Sequence, residues 1–339
     1  MSDLDQQRLS DWLRAHVDGF DGIDRIEKFP GGQSNPTYRL DTGARSYVLR
    51  RKPFGKLLPS AHAVEREFRL ISALAPEGFP VPKPIALCED DSVIGSVFYL
   101  MAMVEGRNYV DGTLPDMPAD QRRGHYEAMV DTLARLHSID PDRIGLGDFG
   151  ASGNYVERQV GRWTKQYRAA QTEDIPEVEK LIDWLPQRLP QQTGRAIIHG
   201  DYRIDNIIFA PDGPQARAVL DWELATIGDP LADFAYFAMS WVIPAEGRSG
   251  LGGVDLAAAN IPTLDQIIAR YCAATGREGL PDLHWCFSFN LFRLVGIIQG
   301  IKKRLDDGNA SSASAERTIA LLKPFARLSW EQAQLAGAA

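Results

Sequence analysis

Cysteine is scarce in this chain, and long apolar runs are missing. The 339 residues include three cysteines, Cys88, Cys272 and Cys286, and no two of them form a C-x-x-C pair. This argues against a disulfide framework and against a cysteine-rich zinc site. The first residues are polar and acidic, so they do not resemble a signal peptide. Since no run approaches about 18 apolar residues, we expect a cytoplasmic protein without a membrane span.

Positive charge is also in deficit. Lysine and arginine number 37 against 45 aspartates and glutamates, which gives a net charge of −8. Such a chain is a poor candidate for general nucleic-acid binding. Hydrophobic residues make up 44% and charged residues 24%, which is usual for a globular protein and excludes a wholly disordered one. At roughly 150 residues per domain, the length predicts two domains or one two-lobed domain.

The first third of the chain has the periodicity of a small sheet with helices. A helix is expected at 5–18, followed by three antiparallel strands, the last of them at 46–50. A second helix is expected at 60–74, with Ser60 as its N-cap, and an apolar strand at 97–104.

Beyond residue 104 the pattern is mainly helical. Two short strands, at 196–199 and 218–221, interrupt the predicted helices, and the last helix is expected at 313–335. This order predicts an α+β fold with an N-terminal domain at 1–104 and a C-terminal domain at 105–339.

The strongest chemical signal lies in and just after the first of these short strands. Asp201 and Asn206 belong to one loop, and Asp221 ends the next strand, which can return beside the first. The oxygen atoms of the three side chains are then expected to converge, and Mg²⁺ prefers oxygen ligands together with substrate phosphates. A carboxylate that does not bind the metal can accept the proton of an attacking hydroxyl. No H-E-x-x-H, G-x-S-x-G or Walker A pattern indicates another chemistry.

The spacing H-x-D-x-x-x-x-N before a strand-borne aspartate is that of the protein-kinase catalytic loop and metal-binding aspartate. Here the loop has the sequence H-G-D, and Trp-Glu follows Asp221, so the chain resembles the aminoglycoside phosphotransferase and choline kinase group. That resemblance implies a two-lobed, protein-kinase-like fold, with a small antiparallel sheet in the N-lobe and a larger, mainly helical C-lobe. It also implies ATP as the phosphoryl donor, Mg²⁺ as the cofactor, Asp201 as the catalytic base, and Asn206 and Asp221 as the Mg²⁺ ligands.

The resemblance places the nucleotide in the N-terminal part of the chain. The loop 31–37 would cover the phosphates, because glycines let backbone N–H groups approach anionic oxygens. The segment 100–106 resembles the hinge of this group, where backbone groups would bind adenine. The residues expected to bind the nucleotide are Gly32, Ser34, Asn35, Arg50, Glu67, Ala102 and Val104.

One cation at the end of the predicted strand 46–50, or just after it, should bind the phosphates. Arg50 stands where kinases carry a lysine, and a guanidinium binds phosphate oxygens in pairs. Lys52 is the alternative, since side chains two residues apart on a strand point to the same side. Of the two glutamates on the following helix, Glu65 and Glu67, the second lies next to the apolar stripe and is the expected ion-pair partner of Arg50.

Other charged residues have structural explanations. We expect His199 to support the catalytic loop from behind, and Asp229 and Asp233 to anchor the loop or cap a helix. Arg293, together with the basic residues at 302–304, is expected to form a surface face of a helix.

The resemblance implies a hydroxyl-bearing small molecule as the acceptor of the phosphoryl group, and three classes of acceptor are ranked below. The segments 47–53 and 58–67 resemble the kinase-like domains that accompany acyl-CoA dehydrogenases, which implies a hydroxyacyl-CoA or hydroxy acid. Arg51, Lys52 and Lys56, or the residues at 302–304, would then bind the phosphates of coenzyme A. An aminoglycoside, the second choice, needs an acidic pocket, and a choline-type amino alcohol is the third. A non-catalytic nucleotide-binding scaffold is an alternative of another class, and no oligomeric state follows from these patterns.

Overall fold

The computed structural model of this chain describes residues 4–30, 35–43, 45–55, 62–151, 153–245, 249–307 and 313–339. The chain forms two compact units. The first comprises Met1–Tyr109, Asp142–Leu146 and Asp205–Ala225; the second comprises Val110–Pro141, Gly147–Ile204 and Thr226–Ala339. The expected domain division at 1–104 and 105–339 stays a prediction.

In chain order, the described helices and strands are α1 (Gln6–His16), β1 (Arg25–Lys28), β2 (Thr37–Asp41), β3 (Ser46–Arg51), α2 (Val64–Leu74), β4 (Pro84–Cys88), β5 (Phe98–Ala102), α3 (Ala119–Ser138), α4 (Tyr155–Ala170), α5 (Pro176–Trp184), β6 (Ala196–Ile198), β7 (Ile207–Phe209), β8 (Ala216–Val219), β9 (Thr226–Gly228), α6 (Pro230–Ala238), α7 (Leu264–Thr275), α8 (Leu283–Asp306), α9 (Ala313–Ile319) and α10 (Leu322–Leu335).

An antiparallel sheet forms the centre of the first unit. Its five strands lie in the order β1-β2-β3-β5-β4. Helix α1 packs its apolar side chains, Leu9 and Leu13, into a buried cluster with Leu40, Leu49 and Leu100 of the sheet. Successive side chains of a strand point to opposite faces of the sheet. The residues that flank each of these leucines on its own strand therefore point to the other face.

Two adjacent arginines of β3 illustrate this alternation. Arg51 has 2% of its surface exposed, and it donates hydrogen bonds to the Tyr38 hydroxyl and to the Lys52 carbonyl. Its guanidinium also stacks on the ring of Phe54, at 3.6 Å from the centroid. Arg50 points to the opposite face of the sheet, where it forms ion pairs described below.

A short hairpin, β7–β8, belongs to the same unit. Its register pairs Ile207 with Val219. The Arg107 N–H donates to the Phe209 carbonyl at 2.9 Å, and the Phe209 N–H donates back at 2.8 Å. These bonds attach the hairpin to the segment that follows β5. Gly106 stands at the point of closest approach, where a Cβ would lie 2.2 Å from the Phe209 carbonyl oxygen.

The second unit is helical, apart from the small pair β6–β9, in which Ile197 lies opposite Ile227. Helix α8 packs against α4, α6 and α10, and its first half is almost entirely buried. This agrees with the apolar character of its sequence. Among the described residues, no helix combines the length and the apolarity that crossing a bilayer requires.

The structure corrects several sequence-based expectations. The strand at 196–198 pairs with β9, and the strand ending before Asp221 pairs with β7, so the two predicted strands are not neighbours. The edge strand β4 (Pro84–Cys88) was not among the predicted strands; it begins at the last proline of the expected connector at 80–84, and a proline is tolerated at the first position of an edge strand. Helix α2 begins at Val64, and Ser60 lies outside the described residues. The expected last helix is divided into α9 and α10, and Pro324 lies in the first turn of α10.

The close approach at Gly106 gives a stability prediction. Gly106→Ala should lower the free energy of unfolding by about 1–3 kcal/mol, because the added methyl group would overlap the hairpin backbone. Urea denaturation measures the change. Gly43→Ala in the same unit is the control, since no atom lies within 4 Å of a Cβ placed there. Equal midpoints for the two variants would contradict the packing described here.

Candidate active site

The loop after β6 is held by a buried carboxylate of α6. The backbone N–H groups of His199 and Gly200 donate to Asp233 Oδ2 and Oδ1, each at 2.8 Å. Gly200 adopts φ 81°, a left-handed conformation that glycine enters without strain. Asp233 also receives a contact from His137 Nε2 at 3.1 Å. The expectation that Asp233 anchors this loop is confirmed.

The charge of Asp233 is stabilised by the same contacts. Burial acts to raise the pKa of its carboxyl group, but the hydrogen bond and charge of His137, together with the charge and backbone N–H of His199, outweigh burial, and the net pKa is lowered. Asp229, a second aspartate of this region, caps α6 by accepting a hydrogen bond from the Leu231 N–H at 2.8 Å. Both predicted structural roles are therefore present.

Asp201 follows this anchored backbone directly. Its Oδ1 accepts a hydrogen bond from the Tyr236 hydroxyl at 2.5 Å and lies 3.2 Å from Arg203 Nε. The Asp201 side chain is 20% exposed. Burial, followed by the charge of Asp201, raises the pKa of Tyr236, so this phenol stays protonated and donates to the carboxylate. His199 is fully buried, and its Nδ1 accepts from the Asp201 N–H at 3.2 Å, which agrees with the supporting role expected for it.

Arg293 is not part of a surface face, and that expectation is wrong. The residue is only 7% exposed, and its Nη2 donates to the Gly200 carbonyl at 2.8 Å. Its guanidinium lies 5.0 Å from the centroid of the Tyr236 ring and 5.5 Å from that of Trp163. A guanidinium that stacks on aromatic rings can be buried in an otherwise apolar helix.

In the first unit, Asn206 and Asp221 are brought together by the register of the β7–β8 hairpin. They flank its paired strands, and the Leu220 N–H donates to the Asn206 carbonyl at 2.8 Å. Asp221 has φ 64° and ψ 60°, an unusual conformation for a residue with a side chain. Its Oδ1 lies 2.7 Å from Arg50 Nη2.

Arg50 forms the predicted ion pair with Glu67, with 3.0 Å between Nε and Oε2. Glu67 is 4% exposed, and it also accepts hydrogen bonds from Asn35 Nδ2 at 3.0 Å and from the Tyr99 hydroxyl at 3.2 Å. Burial raises the pKa of Glu67 to about 7, although the charge of Arg50 opposes the shift. For Arg50, burial acts to lower the pKa, but the carboxylate of Glu67 and its neighbours raise it overall. The guanidinium therefore keeps its charge.

A largely apolar pocket of about 240 Å³ adjoins these charges within the first unit. Its charged lining residues are Arg50, Glu67 and Asp221, and its wall continues to Ala102 and Val104. The remaining lining residues are Phe29, Thr37, Val48, Ile71, Pro82, Tyr99, Met101, Met103, Ile208, Val219, Leu220 and Trp222.

Backbone donors in this wall differ in their availability. The Ala102 N–H donates to the Lys83 carbonyl at 2.9 Å, and the Met103 N–H donates to the Ser46 carbonyl at 3.2 Å. The Val104 N–H donates to no partner within the described part of the chain. Of the three backbone donors at 102–104, it is the one that a ligand in this pocket could use.

Three of the expected nucleotide-binding residues remain, Asn35, Gly32 and Ser34. Asn35 is fully buried, and its side chain is engaged by Glu67 and His62 rather than lining the pocket. Gly32 and Ser34 lie outside the described residues. Lys52, the alternative to Arg50, contacts Glu65 at 2.8 Å and does not line the pocket.

Sequence reasoning missed three residues of these clusters. Glu223 Oε2 lies 3.6 Å from Arg50 Nη2, and Tyr99 and Tyr236 donate to carboxylates that were predicted. The sequence could have indicated two of them. Glu223 stands two residues after Asp221, and Tyr99 stands two residues before Met101 on a strand, so that the two side chains share a face of the sheet. No local pattern indicated Tyr236.

The side-chain oxygen atoms of Asn206 and Asp221 are suitable ligands for a hard cation. Within the described ranges, no group of three or more His, Cys, Asp or Glu side chains is arranged to hold a metal. Mg²⁺ does not need such a cage, because it keeps several waters and commonly uses one or two carboxylates plus phosphate oxygens. The Asp221 carboxylate already attracts a cation, the guanidinium of Arg50. One carboxylate and one amide on adjacent strand ends therefore fit this ion.

The chain matches known phosphotransferases. The model of a family described as "Phosphotransferase enzyme family" matches residues 25–282. A solved structure from Ralstonia eutropha JMP134, described as a candidate aminoglycoside phosphotransferase, is 46% identical, with a TM-score of 0.89 and 98% of each chain covered. A structure of spectinomycin phosphotransferase with ADP and spectinomycin is 14% identical, covers 96% of this chain and 98% of the other, and has a TM-score of 0.64. These likenesses confirm the predicted kinase-like fold.

Curated relatives are longer than this chain. The match to acyl-CoA dehydrogenase family member 10 of Mus musculus is 45% identical over 312 residues, and it covers 91% of this chain but 29% of the relative. The chain thus spans less than a third of that protein. The sequence resemblance to the kinase-like domains that accompany acyl-CoA dehydrogenases is confirmed.

The raised pKa of Glu67 gives a pH prediction. Its ordinary pKa of 4.5 becomes about 7 in the folded chain, so the folded state binds more protons between these values. Stability contributed by the protonated group is then lost as pH rises through about 7. The free energy of unfolding of the wild type should therefore fall more between pH 5 and pH 8 than that of Glu67→Gln.

Urea denaturation at a series of pH values measures this difference. Glu65→Gln on the same helix is the control and should keep the wild-type slope, since Glu65 is more exposed and pairs with Lys52. A Glu67→Gln slope identical to the wild-type slope would contradict the raised pKa.

Proposed function

Because the chain belongs to the phosphotransferase enzyme family, we propose that it is a small-molecule kinase. In this proposal it transfers the γ-phosphoryl group of ATP to an alcohol group of its acceptor, a hydroxyacyl-CoA or related hydroxy acid. The observation that carries the proposal is the first-unit pocket, in which an apolar wall with a backbone donor at Val104 continues to Arg50, Glu67 and Asp221.

The pocket has the chemistry that a nucleoside triphosphate requires. A flat base would lie against apolar side chains such as Val48 and Met101 and accept a hydrogen bond from the Val104 N–H. Arg50 would bind phosphate oxygens, since a guanidinium offers paired donors and keeps its charge. Glu67 holds Arg50 in place, and Asn35 contributes indirectly through its hydrogen bond to Glu67. Gly32 and Ser34 are proposed to cover the phosphates.

Asn206 and Asp221 are the proposed ligands of Mg²⁺. Such an ion neutralises the charge that develops on the transferred phosphoryl group. The hairpin register fixes both residues at adjacent strand ends, and the left-handed backbone at Asp221 directs its carboxylate toward the cationic group of Arg50. Glu223 adds negative charge beside the same guanidinium.

Asp201 is the proposed catalytic base. Its carboxylate is partly exposed, follows an anchored backbone and is held by the Tyr236 hydroxyl. A positioned carboxylate of this kind accepts the proton of the acceptor hydroxyl as the new O–P bond forms.

The charges near Asp201 favour an acceptor without a dense positive charge. Arg203 is within 3.2 Å of the carboxylate, and Arg293 stacks on the tyrosine that binds it. A polycationic aminoglycoside would be repelled by these two groups. The names of the longer relatives, acyl-CoA dehydrogenase family members, point instead to an acyl-type acceptor.

The basic residues expected to bind coenzyme A must be revised. Arg51 is buried under Phe54, Lys52 is paired with Glu65, and Lys56 lies outside the described residues. On α8, Lys302 and Lys303 are paired with Asp306 and Asp307. A hydroxy acid or a hydroxyacyl group recognised near Asp201 therefore has more support than a clamp on the phosphates of coenzyme A.

Nucleotide binding gives the first test. ATP with Mg²⁺ at millimolar levels should raise the melting temperature, since a ligand of the folded state at about 100 times its Kd adds about 2.7 kcal/mol. Asp221→Asn should weaken the Mg²⁺-dependent part of this shift. Asp212→Asn, an exposed residue in the turn of the same hairpin, is the control. No shift with the wild type would argue against a kinase, and an unaltered Mg²⁺ requirement in Asp221→Asn would contradict its assignment.

Turnover gives the second test. ADP formation is measured with hydroxyacyl-CoAs, hydroxy acids, amino alcohols, sugars and aminoglycosides. Asp201→Asn should lower turnover by roughly 10²–10⁴-fold while sparing ATP binding, because it removes the base but not the nucleotide pocket. Asp183→Asn, an exposed aspartate of α5, serves as the control. A scaffold would bind ATP without turnover, and full activity of Asp201→Asn would assign the base elsewhere.

A further inference from the structure

We infer that Tyr236 and Arg293 are positioning residues that together hold the Asp201 carboxylate in one orientation. The inference deepens the proposed function and rests on it, because it takes Asp201 as the base. All residues that carry it lie in the second unit. Neither positioning residue was indicated as such by the sequence pattern.

Tyr236 is the direct partner of the carboxylate. The residue lies on α6, it is 5% exposed, and its hydroxyl is 2.5 Å from Asp201 Oδ1. The same helix carries Asp233, which binds the backbone N–H groups before Asp201. One rigid helix thus fixes both the backbone and the side chain of this part of the loop. Catalytic groups held by regular elements are more precisely placed than groups held by loops.

Arg293 acts on the same loop from a different helix, α8. Its Nη2 donates to the Gly200 carbonyl, and its guanidinium stacks on the Tyr236 ring. The loop is therefore held through its amides by Asp233 and through its carbonyl by Arg293. A shift of either α6 or α8 would move Asp201, because the two helices meet at the Tyr236 ring.

The burial of Arg293 is not explained by folding stability alone. Removing a guanidinium from water is costly unless its donors find partners. Arg293 Nε has no hydrogen-bond partner within the described residues, and the one hydrogen bond of the group there is to the Gly200 carbonyl rather than to a carboxylate. Leucine or methionine would fill this volume in an apolar helix without that cost. The arginine does two things that they cannot do: it binds the Gly200 carbonyl and it places a cation over the tyrosine ring.

This arrangement predicts a specific kinetic signature. The nucleotide pocket belongs to the first unit, so loosening Asp201 should not change the KM for ATP. It should lower kcat, since proton transfer requires the carboxylate in place. A residue that only supports the fold would instead lower stability, with kcat per folded molecule unchanged.

The experiment measures ADP formation from ATP and Mg²⁺, with the best acceptor of the panel above or with water when no acceptor is added. Tyr236→Phe should lower kcat roughly tenfold or more, because it removes a hydrogen bond to a charged group. The KM for ATP should stay within about twofold of the wild-type value. Tyr167→Phe, another buried tyrosine of the second unit, is the matched control and should leave kcat unchanged.

Two Arg293 variants separate positioning from packing. Arg293→Met keeps the volume and should lower kcat, whereas Arg293→Lys keeps a cation and should restore part of the lost rate. The double variant Tyr236→Phe with Arg293→Met should lose little more than the worse single variant, since both act through one carboxylate. If Arg293→Met does not fold, the comparison of Tyr236→Phe with Tyr167→Phe decides the question by itself.

The outcomes distinguish this inference from the proposed function. If Asp201→Asn abolishes turnover but Tyr236→Phe behaves like Tyr167→Phe, the positioning role is overturned and the proposed function stands. If Asp201→Asn retains full turnover, or the wild type forms no ADP with any acceptor or with water, the proposed function fails first.

Discussion

A single buried guanidinium organises the candidate nucleotide site. Arg50 brings the helix residue Glu67 and the hairpin residue Asp221 into contact, although Arg50 and Asp221 are 171 positions apart. Burial of such a cation is unfavourable unless carboxylates surround it, and here three of them do so, Glu223 being the third. The strand, the helix and the hairpin are therefore fixed relative to one another by charge as well as by apolar packing. The shape of the adjacent pocket depends on this arrangement.

In the second unit the buried charge that organises the structure is an anion, the carboxylate of Asp233. Asp233 is fully enclosed, and it is stabilised by backbone N–H groups of the loop after β6 and by His137 rather than by an arginine. The hydroxyl of Tyr271 lies 2.6 Å from the other nitrogen of His137, which orients the imidazole. Each buried charge thus holds a short connecting segment, the one after β6 for Asp233 and the one after β8 for Arg50. The residues proposed for chemistry stand directly beside these ordered segments.

The sequence predicted the residues whose positions depend on short-range spacing. Asn206 and Asp221 are adjacent because a hairpin of few residues joins them, and the Arg50–Glu67 pair follows from strand and helix periodicity. Partnerships between distant segments were not accessible. Nothing local indicates that β6 pairs with β9, that Tyr236 reaches Asp201, or that Arg293 is buried between two aromatic rings. Residue type was also misleading. An arginine in a helix is usually predicted to be exposed, and an asparagine in a glycine-rich loop is predicted to bind a ligand. Arg293 and Asn35 are both buried instead.

In each unit a residue with a left-handed backbone conformation lies at or next to a side chain with a proposed function. Gly200 precedes the proposed base with φ 81°, and Asp221 itself has φ 64°. At the first position glycine removes the strain, so the chain can turn and expose Asp201. At the second position a side chain is needed, and the strain persists because Arg50 and the hairpin hold it. A glycine at 221 would relieve the backbone but would lack the carboxylate. The aspartate thus supplies the carboxylate that pairs with Arg50, which glycine could not provide.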